Sequence, residues 1–255
     1  DVPVPAIGEH EILAEIHAAS VNPVDFKIRD GKLKVLLHFD MPLILGNDFA
    51  GVVRAVGSKV QRFKVGDAVY GRPRKSNIGT FAQFIAAHED DIAPKPANLS
   101  FEEAASVPLV GLTAYQALHD LMHLQAGQKI LIQAGAGGVG TFAIQLAKSM
   151  GAYVATTASE AGAPLVQSLG ADRIINYHLE NFAQVLHDYD AVLDTLGGEA
   201  LLQSFQVLKP GGMIVLDDYG YIPYVAQRDA EREPQSDSDG SRTQLMCQKS
   251  VRAAP

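Results

Sequence analysis

One short stretch of this chain restricts its possible folds more than any other, because a strand pattern, a glycine-rich loop and a helix pattern follow one another without a break. The run Lys129–Gln133 reads Lys-Ile-Leu-Ile-Gln and predicts a short buried strand. The loop 135–140 reads Gly-Ala-Gly-Gly-Val-Gly, and Gly151 later supplies a helix stop. Between them, apolar residues recur at helical spacing: Val139, Phe142, Ala143, Leu146, Ala147 and Met150. A glycine loop between a strand and a helix is typical of a dinucleotide-binding site.

Each glycine of this loop has a physical role in such a site. Gly135 allows the tight turn, and Gly137 or Gly138 lets the main chain approach a pyrophosphate with no Cβ in the way. Gly140 lets the helix pack close to the strand. The amides that begin near Val139 then face the anion, together with the positive end of the helix dipole. The alternative is a glycine turn that binds nothing.

Three regions differ in their patterns. Residues 1–107 hold short β-prone runs separated by Gly and Pro, which predicts a mostly antiparallel β domain; Ser100 and Glu103 form a capping box that begins a helix. Residues 108–223 alternate strand and helix patterns, which predicts an α/β fold with a doubly wound parallel sheet. Residues 224–255 are polar, and we expect a disordered tail there. Five strands are predicted in the α/β region: Lys129–Gln133, Tyr153–Thr157, Arg173–Asn176, Ala191–Asp194 and Met213–Asp217.

Composition narrows the class of protein. The chain has 255 residues, 47% of them hydrophobic, and a formal net charge of -8, so we expect neither a disordered chain nor a nucleic-acid binder. Cys247 is the only cysteine, which excludes a disulfide framework and favours a reducing compartment; we expect a cytoplasmic location. The uncharged run Ile130–Ala147 holds a cluster of glycines that would break a membrane-spanning helix, so we expect no membrane partner.

The end of the second predicted strand bears on the choice of coenzyme. An NAD site usually places Asp or Glu there to bind the ribose 2′-hydroxyl. This chain has Thr157 and Ser159 at that place, and small hydroxyls suit a 2′-phosphate, so NADP is favoured over NAD. Glu160 lies one step beyond and leaves NAD as the less favoured alternative.

These features together resemble the medium-chain dehydrogenase/reductase superfamily, in its zinc-independent quinone oxidoreductase and enone reductase branch. The resemblance implies a GroES-like β domain over residues 1–107, a Rossmann domain over residues 108–223, and an active site in the cleft between them. It also implies that the chain is incomplete at both ends, that the usual sixth Rossmann strand is missing, and that residues 224–255 do not belong to the family pattern. The matching stretches are Val21–Arg29, Gly46–Gly51, Val65–Gly71, Gly79–Ala82, Gly111–Tyr115, Leu169–Asp172, Ile175–Tyr177 and Leu208–Gly212, with the glycine loop among them.

The resemblance also implies that zinc is not used. Zinc-dependent relatives carry a Cys and a Gly-His-Glu motif in the first domain. The corresponding places here read Ser-Val-Asn over residues 20–22 and Gly-Asn-Asp over residues 46–48. A catalytic zinc needs about three protein ligands, and this set has neither thiolate nor imidazole.

Without zinc, the implied reaction is direct hydride transfer from NADPH to an acceptor that takes it unaided, a quinone or an α,β-unsaturated carbonyl. By resemblance, Lys27 contacts the nicotinamide end and the substrate, and Asn22 and Thr113 line the nicotinamide pocket. Tyr70 is a second candidate catalytic residue, as a proton source. The alternatives are structural: a solvated Lys27, an Asn22 that caps a turn, and a Tyr70 that fills core.

At the other end of the coenzyme, the resemblance assigns a contact with the 2′-phosphate to Tyr177 and a phosphate contact to Ser159. Related NADP-binding chains often carry Lys or Arg just after the hydroxyl cluster, where this chain has Ala-Gly-Ala over residues 161–163, so we expect modest phosphate selectivity. A homodimer through the Rossmann edge strand is also implied. The competing hypothesis is a non-catalytic NADP(H)-binding protein, a degraded or regulatory member of the family.

Overall fold

The computed structural model describes residues 2–34, 39, 41–217 and 224–227. The chain forms two compact units, Asp1–Leu112 and Thr113–Pro255. The division falls inside a helix over Pro108–Tyr115, a few residues after the predicted domain boundary at residue 107.

The first unit is built on a five-stranded antiparallel sheet with the order β4-β1-β2-β3-β5. Two short helices accompany it, and α2 begins at the predicted capping box, where the Glu103 amide donates to Ser100 Oγ at 3.1 Å. The elements are β1 (Glu11–Ser20), α1 (Pro23–Arg29), β2 (Asp48–Val56), β3 (Ala68–Gly71), β4 (Phe84–His88), β5 (Ile92–Pro94) and α2 (Phe101–Ala105). The mostly antiparallel β domain predicted from the sequence is confirmed.

The core of the first unit follows from the alternation of side chains along its strands. Ile12 and Ala14 of β1 are buried with Phe49 and Val53 of β2. The two strands approach closely at Gly51, where a Cβ would lie 2.1 Å from the Glu15 carbonyl oxygen. Polar side chains lie beside this core at the end of β1, at the start of α1 and at the start of β2.

The second unit is an α/β structure in which five parallel strands form most of a six-stranded sheet with the order β11-β10-β9-β6-β7-β8. The first helix, α3 (Pro108–Tyr115), continues as a π-helical turn over Gln116–Leu121. The other elements are β6 (Lys129–Ile132), α4 (Gly138–Ser149), β7 (Tyr153–Ala158), α5 (Ala163–Ser168), β8 (Arg173–Asn176), α6 (Phe182–Val185), β9 (Tyr189–Asp194), α7 (Gly198–Val207), β10 (Leu208–Leu216) and β11 (Tyr224–Gln227). The predicted doubly wound fold is confirmed.

Two apolar clusters pack on opposite faces of this sheet. Ile130 and Ile132 of β6 belong to the cluster that includes α4, whereas Leu131 belongs to the cluster that includes α6 and α7. On α4, the predicted apolar face is the one that packs, with Ala143 and Ala147 fully buried. A strand buried on both faces explains why the Lys-Ile-Leu-Ile run shows no alternation of polarity.

The second sheet has six strands in the part of the chain that the structure describes, one more than the five predicted from the sequence. β11 pairs antiparallel with β10, with Met213 opposite Gln227 and Leu216 opposite Tyr224, inside the segment 224–255 that was expected to be a tail. The polar composition of the segment as a whole had indicated no strand, whereas these four residues are a strand by their main-chain pairing with β10. The rest of that segment, with Cys247, lies outside the described residues. Among the helices that the structure describes, none is both long and apolar enough to cross a membrane.

Candidate functional site

The glycine loop of the second unit leaves the carboxyl end of β6 and leads into α4. Ala134 adopts a left-handed conformation with φ 51°, and its carbonyl accepts a hydrogen bond from the Gly137 amide at 2.9 Å. Gly137 is the N-cap of α4 and is exposed, as is Gly138. The first three amides of a helix, here from Gly138 to Gly140, have no acceptor within the helix. Amides of this kind, at the positive end of a helix that here has 12 residues, are able to bind an anion.

The glycines of the loop divide into two kinds according to the space around them. A Cβ on Gly135 would lie 2.0 Å from Thr156 Oγ1, and one on Gly140 would lie 2.4 Å from the Ala134 carbonyl oxygen. These two glycines are therefore required by packing inside the protein. A Cβ on Gly137 would meet only the Ala134 oxygen, at 3.2 Å, and would otherwise point into open space. That open space is where a diphosphate would approach the main chain.

Thr157, predicted as a coenzyme contact, is buried and ties the loop to the sheet. Its hydroxyl donates to Gln133 Oε1 at 2.8 Å and accepts a hydrogen bond from the Ala134 amide at 2.9 Å. Gln133 in turn donates from Nε2 to Ser204 Oγ at 3.2 Å. Sequence reasoning missed Gln133 as a site residue, although a glutamine at the end of a buried apolar strand is a detectable signal, since buried polar groups are nearly always hydrogen-bonded.

Ser159 and Tyr177 lie side by side at the ends of neighbouring strands. Ala158 of β7 pairs with Asn176 of β8, so the residue after each is adjacent to the other. Ser159 Oγ accepts a hydrogen bond from the Gly162 amide at 3.2 Å, which shapes the loop that follows β7. Tyr177 is 55% exposed, and its ring centroid lies 4.4 Å from that of His178.

A cavity of about 490 Å³ opens on the same edge of the sheet. Its lining includes a carboxylate, Glu180, but no lysine or arginine among the described residues. The exposed Glu160 adds a second carboxylate in the loop after β7. The main lining residues are Gln133, Thr157, Tyr177, His178, Leu196 and Gln203.

The first unit contains a buried group of polar side chains, which we call the Asp48 cluster: Ser20, Asn22, Asp25, Asn47 and Asp48. Asn22 Nδ2 donates to Asp48 Oδ2 at 2.8 Å and to Ser20 Oγ at 3.1 Å, and Ser20 Oγ donates to Asp48 Oδ2 at 2.7 Å. Asp25 accepts from the Asn22 amide and from Asn47 Nδ2, both at 2.7 Å. The cluster joins the end of β1, the start of α1 and the start of β2.

Asp48 is the most enclosed carboxylate of this cluster, with no exposed surface. Its second oxygen, Oδ1, accepts a hydrogen bond from the Leu109 amide at 2.9 Å. Burial raises the pKa of Asp48 to about 6, although the hydrogen bonds from Ser20, Asn22 and Leu109 and the charge of Arg72 act in the opposite direction. The carboxylate thus collects three donors and still titrates well above its ordinary range.

Four members of this cluster, all but Asp25, lie in the stretches 20–22 and 46–48, to which the family resemblance assigns the zinc ligands of zinc-dependent relatives. Its side chains are amides, carboxylates and a hydroxyl, without a thiolate or imidazole, and the oxygens of Asp25 and Asp48 already accept hydrogen bonds. Such a donor set does not fit a tetrahedral zinc site. Within the part of the chain that the structure describes, no group of three His, Cys, Asp or Glu side chains is placed to hold a metal.

The remaining predicted site residues lie on separate elements. Lys27 lies on α1, two residues after Asp25. It is half-buried and has a polar or electrostatic interaction within the protein. Tyr70 of β3 packs against a small apolar cluster around Ala50. Thr113 is half-buried on α3. The structure therefore brings Asn22 into the Asp48 cluster in the first unit, and it brings Thr157, Ser159 and Tyr177 to the edge of the sheet that carries the glycine loop in the second.

Two family models match the chain, one in each unit. The model described as "Alcohol dehydrogenase GroES-like domain" matches residues 8–97, and the one described as "Zinc-binding dehydrogenase" matches residues 138–221. The second model begins inside the glycine loop, at Gly138, and covers Thr157, Ser159 and Tyr177 of the sheet edge.

Two plant relatives match most of this chain. The tomato (Solanum lycopersicum) 2-methylene-furan-3-one reductase is 43% identical over 225 residues, which are 85% of this chain and 57% of the tomato protein. The Arabidopsis thaliana chloroplastic NADPH-dependent alkenal/one oxidoreductase is 40% identical, over 84% of this chain and 57% of that protein. The chain thus spans little more than half the length of these relatives.

Among solved structures, the Escherichia coli quinone oxidoreductase complexed with NADPH superimposes with a TM-score of 0.76 at 32% identity. The match covers 84% of this chain and 67% of the bacterial chain.

Proposed function

Because this chain belongs to the medium-chain dehydrogenase/reductase superfamily, among its quinone and enone oxidoreductases, we propose that it reduces a quinone or an α,β-unsaturated carbonyl with NADPH and without zinc. The observation that carries the proposal is the loop in which Gly137 is exposed beside the open amides of α4. The tomato and Arabidopsis relatives are named for acting on enone-type substrates, and NADPH is named in the Arabidopsis protein and in the bacterial complex.

The residues of the second unit fit a pyridine dinucleotide. In this proposal the diphosphate lies against the amides of Gly138 and Val139, which are polar and have no partner in the helix. The cavity of about 490 Å³ beside Thr157 and Tyr177 receives the adenosine end. Ser159 and Tyr177 contact the 2′-phosphate with neutral hydroxyls. Since no lysine or arginine lines that cavity in the described residues, the preference for NADPH over NADH is modest.

The bound coenzyme would supply the hydride, and the chain's own side chains orient the reactants and stabilise charge. Asn22 and Thr113 line the nicotinamide pocket in the proposal, and Lys27 stabilises the negative charge that develops on the acceptor oxygen. Tyr70 has a weaker claim as a proton source, because its ring packs among apolar side chains. Quinones and enones are the acceptors of choice because they spread that charge without the help of a Lewis acid.

The proposal is tested in two steps. Calorimetric titration of the purified chain with NADPH and NADH measures binding, and we expect both to bind, with NADPH tighter. Oxidation of bound NADPH is then followed spectrophotometrically with a simple quinone, an enone and a saturated ketone. We expect the first two to be reduced and the ketone not. Failure of both coenzymes to bind, or ketone reduction that requires added zinc, would contradict the proposal.

The competing function, a non-catalytic NADP(H)-binding protein, predicts a different result in the same experiment. It predicts tight NADPH binding with no oxidation by any acceptor. The variant Lys27→Met would then change nothing, whereas in an enzyme it lowers the rate of acceptor reduction while coenzyme affinity is largely retained.

Two further expectations stay hypotheses. A homodimer through the edge of the second sheet is proposed from the family resemblance, and β11 forms that edge in this structure. Sedimentation velocity of the purified chain would show a single dimeric species if it is right and a monomer if it is wrong. A cytoplasmic location likewise remains an expectation, and the Arabidopsis relative is described as chloroplastic.

A further inference from the structure

His178 lies in the turn that follows β8, at the carboxyl edge of the second sheet. Its main-chain amide donates to Asn176 Oδ1 at 3.1 Å, and the amides of Leu179 and Glu180 both donate to the Asn176 carbonyl at 2.9 Å. These bonds give the turn its shape. His178 is exposed and lines the cavity of about 490 Å³. The turn therefore presents an imidazole to this cavity.

The imidazole of His178 contacts the residue to which the 2′-phosphate contact is assigned. Its ring centroid lies 4.4 Å from that of Tyr177, with the two ring planes inclined by 48°. Tyr177 in turn lies beside Ser159, because Ala158 and Asn176 are partners in the pairing of β7 with β8. Within the described part of the chain the ring nitrogens of His178 make no hydrogen bond, so they are available to a ligand bound next to Tyr177.

His178 is also the one described residue lining this cavity whose side chain can carry a positive charge. The other titratable groups of the lining are the phenol of Tyr177 and the carboxylate of Glu180, both on the same turn. Glu160, in the loop after β7, adds a second carboxylate at this edge. The lining residues from the ends of β6 and β7, from α6 and α7 and from the segment after β9 have no titratable side chain. A phosphate bound here would meet one group able to neutralise it.

We propose that His178 sets the preference of this chain for NADPH over NADH, because its protonated imidazole pairs with the 2′-phosphate beside Tyr177. The inference rests on the proposed function, in which the adenosine end of the coenzyme occupies this cavity. It goes beyond that function by making the choice of coenzyme depend on pH. It also gives a role to a residue that neither the motifs nor the comparisons assign.

The direction of the pH dependence follows from the two groups that meet. A histidine side chain ordinarily gains its proton at about pH 6–7, whereas a phosphate monoester loses most of its second charge only below about pH 6. Between about pH 8.5 and about pH 6.5 the imidazole therefore becomes charged while the phosphate stays largely dianionic. A hydrogen bond between two charged groups is about twice as strong as a neutral one. The extra affinity for the 2′-phosphate is thus present at the acidic end of this range and is lost as the pH rises through it.

The test uses adenosine 2′,5′-bisphosphate and adenosine 5′-monophosphate, which differ only in the 2′-phosphate and lack the nicotinamide half of the coenzyme. Calorimetric titration of the full chain at about pH 8.5 and about pH 6.5 gives the ratio of their dissociation constants at each pH. We expect the preference for the bisphosphate to be about fivefold greater at the lower pH. In His178→Gln the preference should not rise as the pH falls. In His178→Arg it should be high at both pH values, because a guanidinium keeps its charge.

His187→Gln is the matched control. His187 is a second exposed histidine of the same unit, but it precedes β9 at the amino edge of the sheet and is not among the described residues that line the cavity. This variant should keep the wild-type preference at both pH values. NMR gives a direct readout of the contact. The imidazole proton signals of His178, assigned by their loss in His178→Gln, should shift when the bisphosphate is added and much less when the monophosphate is added.

The outcomes separate the inference from the proposed function. If the wild-type preference for the bisphosphate is the same at both pH values, or if His178→Gln keeps the wild-type pH dependence, the inference is wrong while coenzyme binding upholds the function. If the wild-type chain binds neither NADPH nor NADH, the function fails and the inference fails with it. If the two adenosine nucleotides bind too weakly for calorimetry, NADP⁺ and NAD⁺ take their place in the same comparison, since they too differ only in the 2′-phosphate.

Discussion

The hydroxyl of Thr157 accepts a hydrogen bond from the main-chain amide of Ala134 at 2.9 Å, so the end of β7 holds the first residue of the glycine loop. The same hydroxyl donates to Gln133 Oε1 at 2.8 Å. Ala134 is strained in a left-handed conformation with φ 51°, and a loop of this kind keeps its shape only if its surroundings fix it. Thr157 therefore supports the loop of the proposed coenzyme site rather than contacting the coenzyme itself.

Replacing Thr157 with valine should loosen this loop. Thr157→Val keeps the shape of the side chain but leaves the Ala134 amide and Gln133 Oε1 buried without their partner, which costs about 1–3 kcal/mol of unfolding free energy. We expect NADPH affinity to fall by about tenfold, measured by calorimetry well below the melting temperature. Thr157→Ser is the control, because it retains the hydroxyl and loses only a methyl group. Equal affinity losses in both variants would show that the hydroxyl is not what matters.

The glycines of the loop should differ in what their replacement does. Gly140→Ala places a Cβ 2.4 Å from the Ala134 carbonyl oxygen and 2.7 Å from Gly135 Cα, so the main chain must shift. We expect a loss of about 2–4 kcal/mol in the free energy of unfolding by urea. Gly137→Ala meets no such obstacle and should cost less than about 1 kcal/mol.

Coenzyme binding should be affected most by the variant that disturbs the fold least. At Gly137 an added methyl group occupies the open space that the diphosphate needs, so Gly137→Ala should weaken NADPH binding by tenfold or more, about 1.4 kcal/mol. A folded Gly137→Ala protein with unchanged affinity would move the diphosphate away from this loop.

The glycine loop and α4 are predicted well from the sequence because the residues that determine them are close together in the chain. The strand, the loop and the apolar face of the helix lie within residues 129–151, and each pattern has one structural solution. The Asp48 cluster is different. Ser20 bonds to Asp48 and Asn47 bonds to Asp25, across more than 20 positions of the sequence, and Asp48 in turn accepts the Leu109 amide 61 positions away. Sequence reasoning marked these positions as lacking zinc ligands, but it could not show that they bond to one another.

The edge of the second sheet shows the same limit. β11 was assigned to a tail because its composition carries no period, and the strand exists through its pairing with β10. Likewise, the link from Gln133 to Ser204 joins residues 71 positions apart and depends on the packing of α7 against the sheet. Local sequence patterns predict individual helices and strands, whereas contacts between segments that are distant in the sequence are seen only in the three-dimensional structure.

Acidic pH should lower the free energy of unfolding of the second unit, because it disrupts the ion pair between Lys148 and Asp172. Asp172 accepts hydrogen bonds from Lys148 Nζ, at 2.9 and 2.7 Å, and from the Val154 amide at 2.7 Å. Burial alone would raise the pKa of Asp172, but Lys148 and the Val154 amide outweigh it and lower the pKa. Because the pKa is lower in the folded protein, the stabilisation is complete above the unfolded value of about 4 and is lost as the pH falls through the folded value.

Asp172→Asn makes this dependence measurable. We expect the variant to be less stable than the wild-type chain by about 1–2 kcal/mol near neutral pH, with the difference shrinking towards zero in strong acid. Urea unfolding at neutral, mildly acidic and strongly acidic pH gives the difference directly. Asp90→Asn is the control: its side chain is 68% exposed, and its bond to Arg62 is long, at 3.5 Å. A pH-independent difference for Asp172→Asn would contradict the assignment.

The 2′-phosphate contact proposed for Tyr177 predicts a change in coenzyme preference without a change in stability. Tyr177 follows β8 at the carboxyl edge of the sheet and is 55% exposed, so loss of its hydroxyl in Tyr177→Phe leaves the fold intact. One neutral hydrogen bond to the phosphate contributes about 0.5–1.5 kcal/mol, so NADPH affinity should fall roughly 2- to 12-fold while NADH affinity stays the same.

Tyr153→Phe is the matched control because Tyr153 begins β7 at the amino edge of the same sheet and is 39% exposed. Ligands of parallel α/β sheets bind at the carboxyl edge, so this variant should change the affinity for neither coenzyme. Titration of both variants with NADPH and NADH decides between two assignments. If Tyr177→Phe weakens both coenzymes equally, Tyr177 contacts the adenosine that they share, and the phosphate is held by Ser159 and the loop that Gly162 closes.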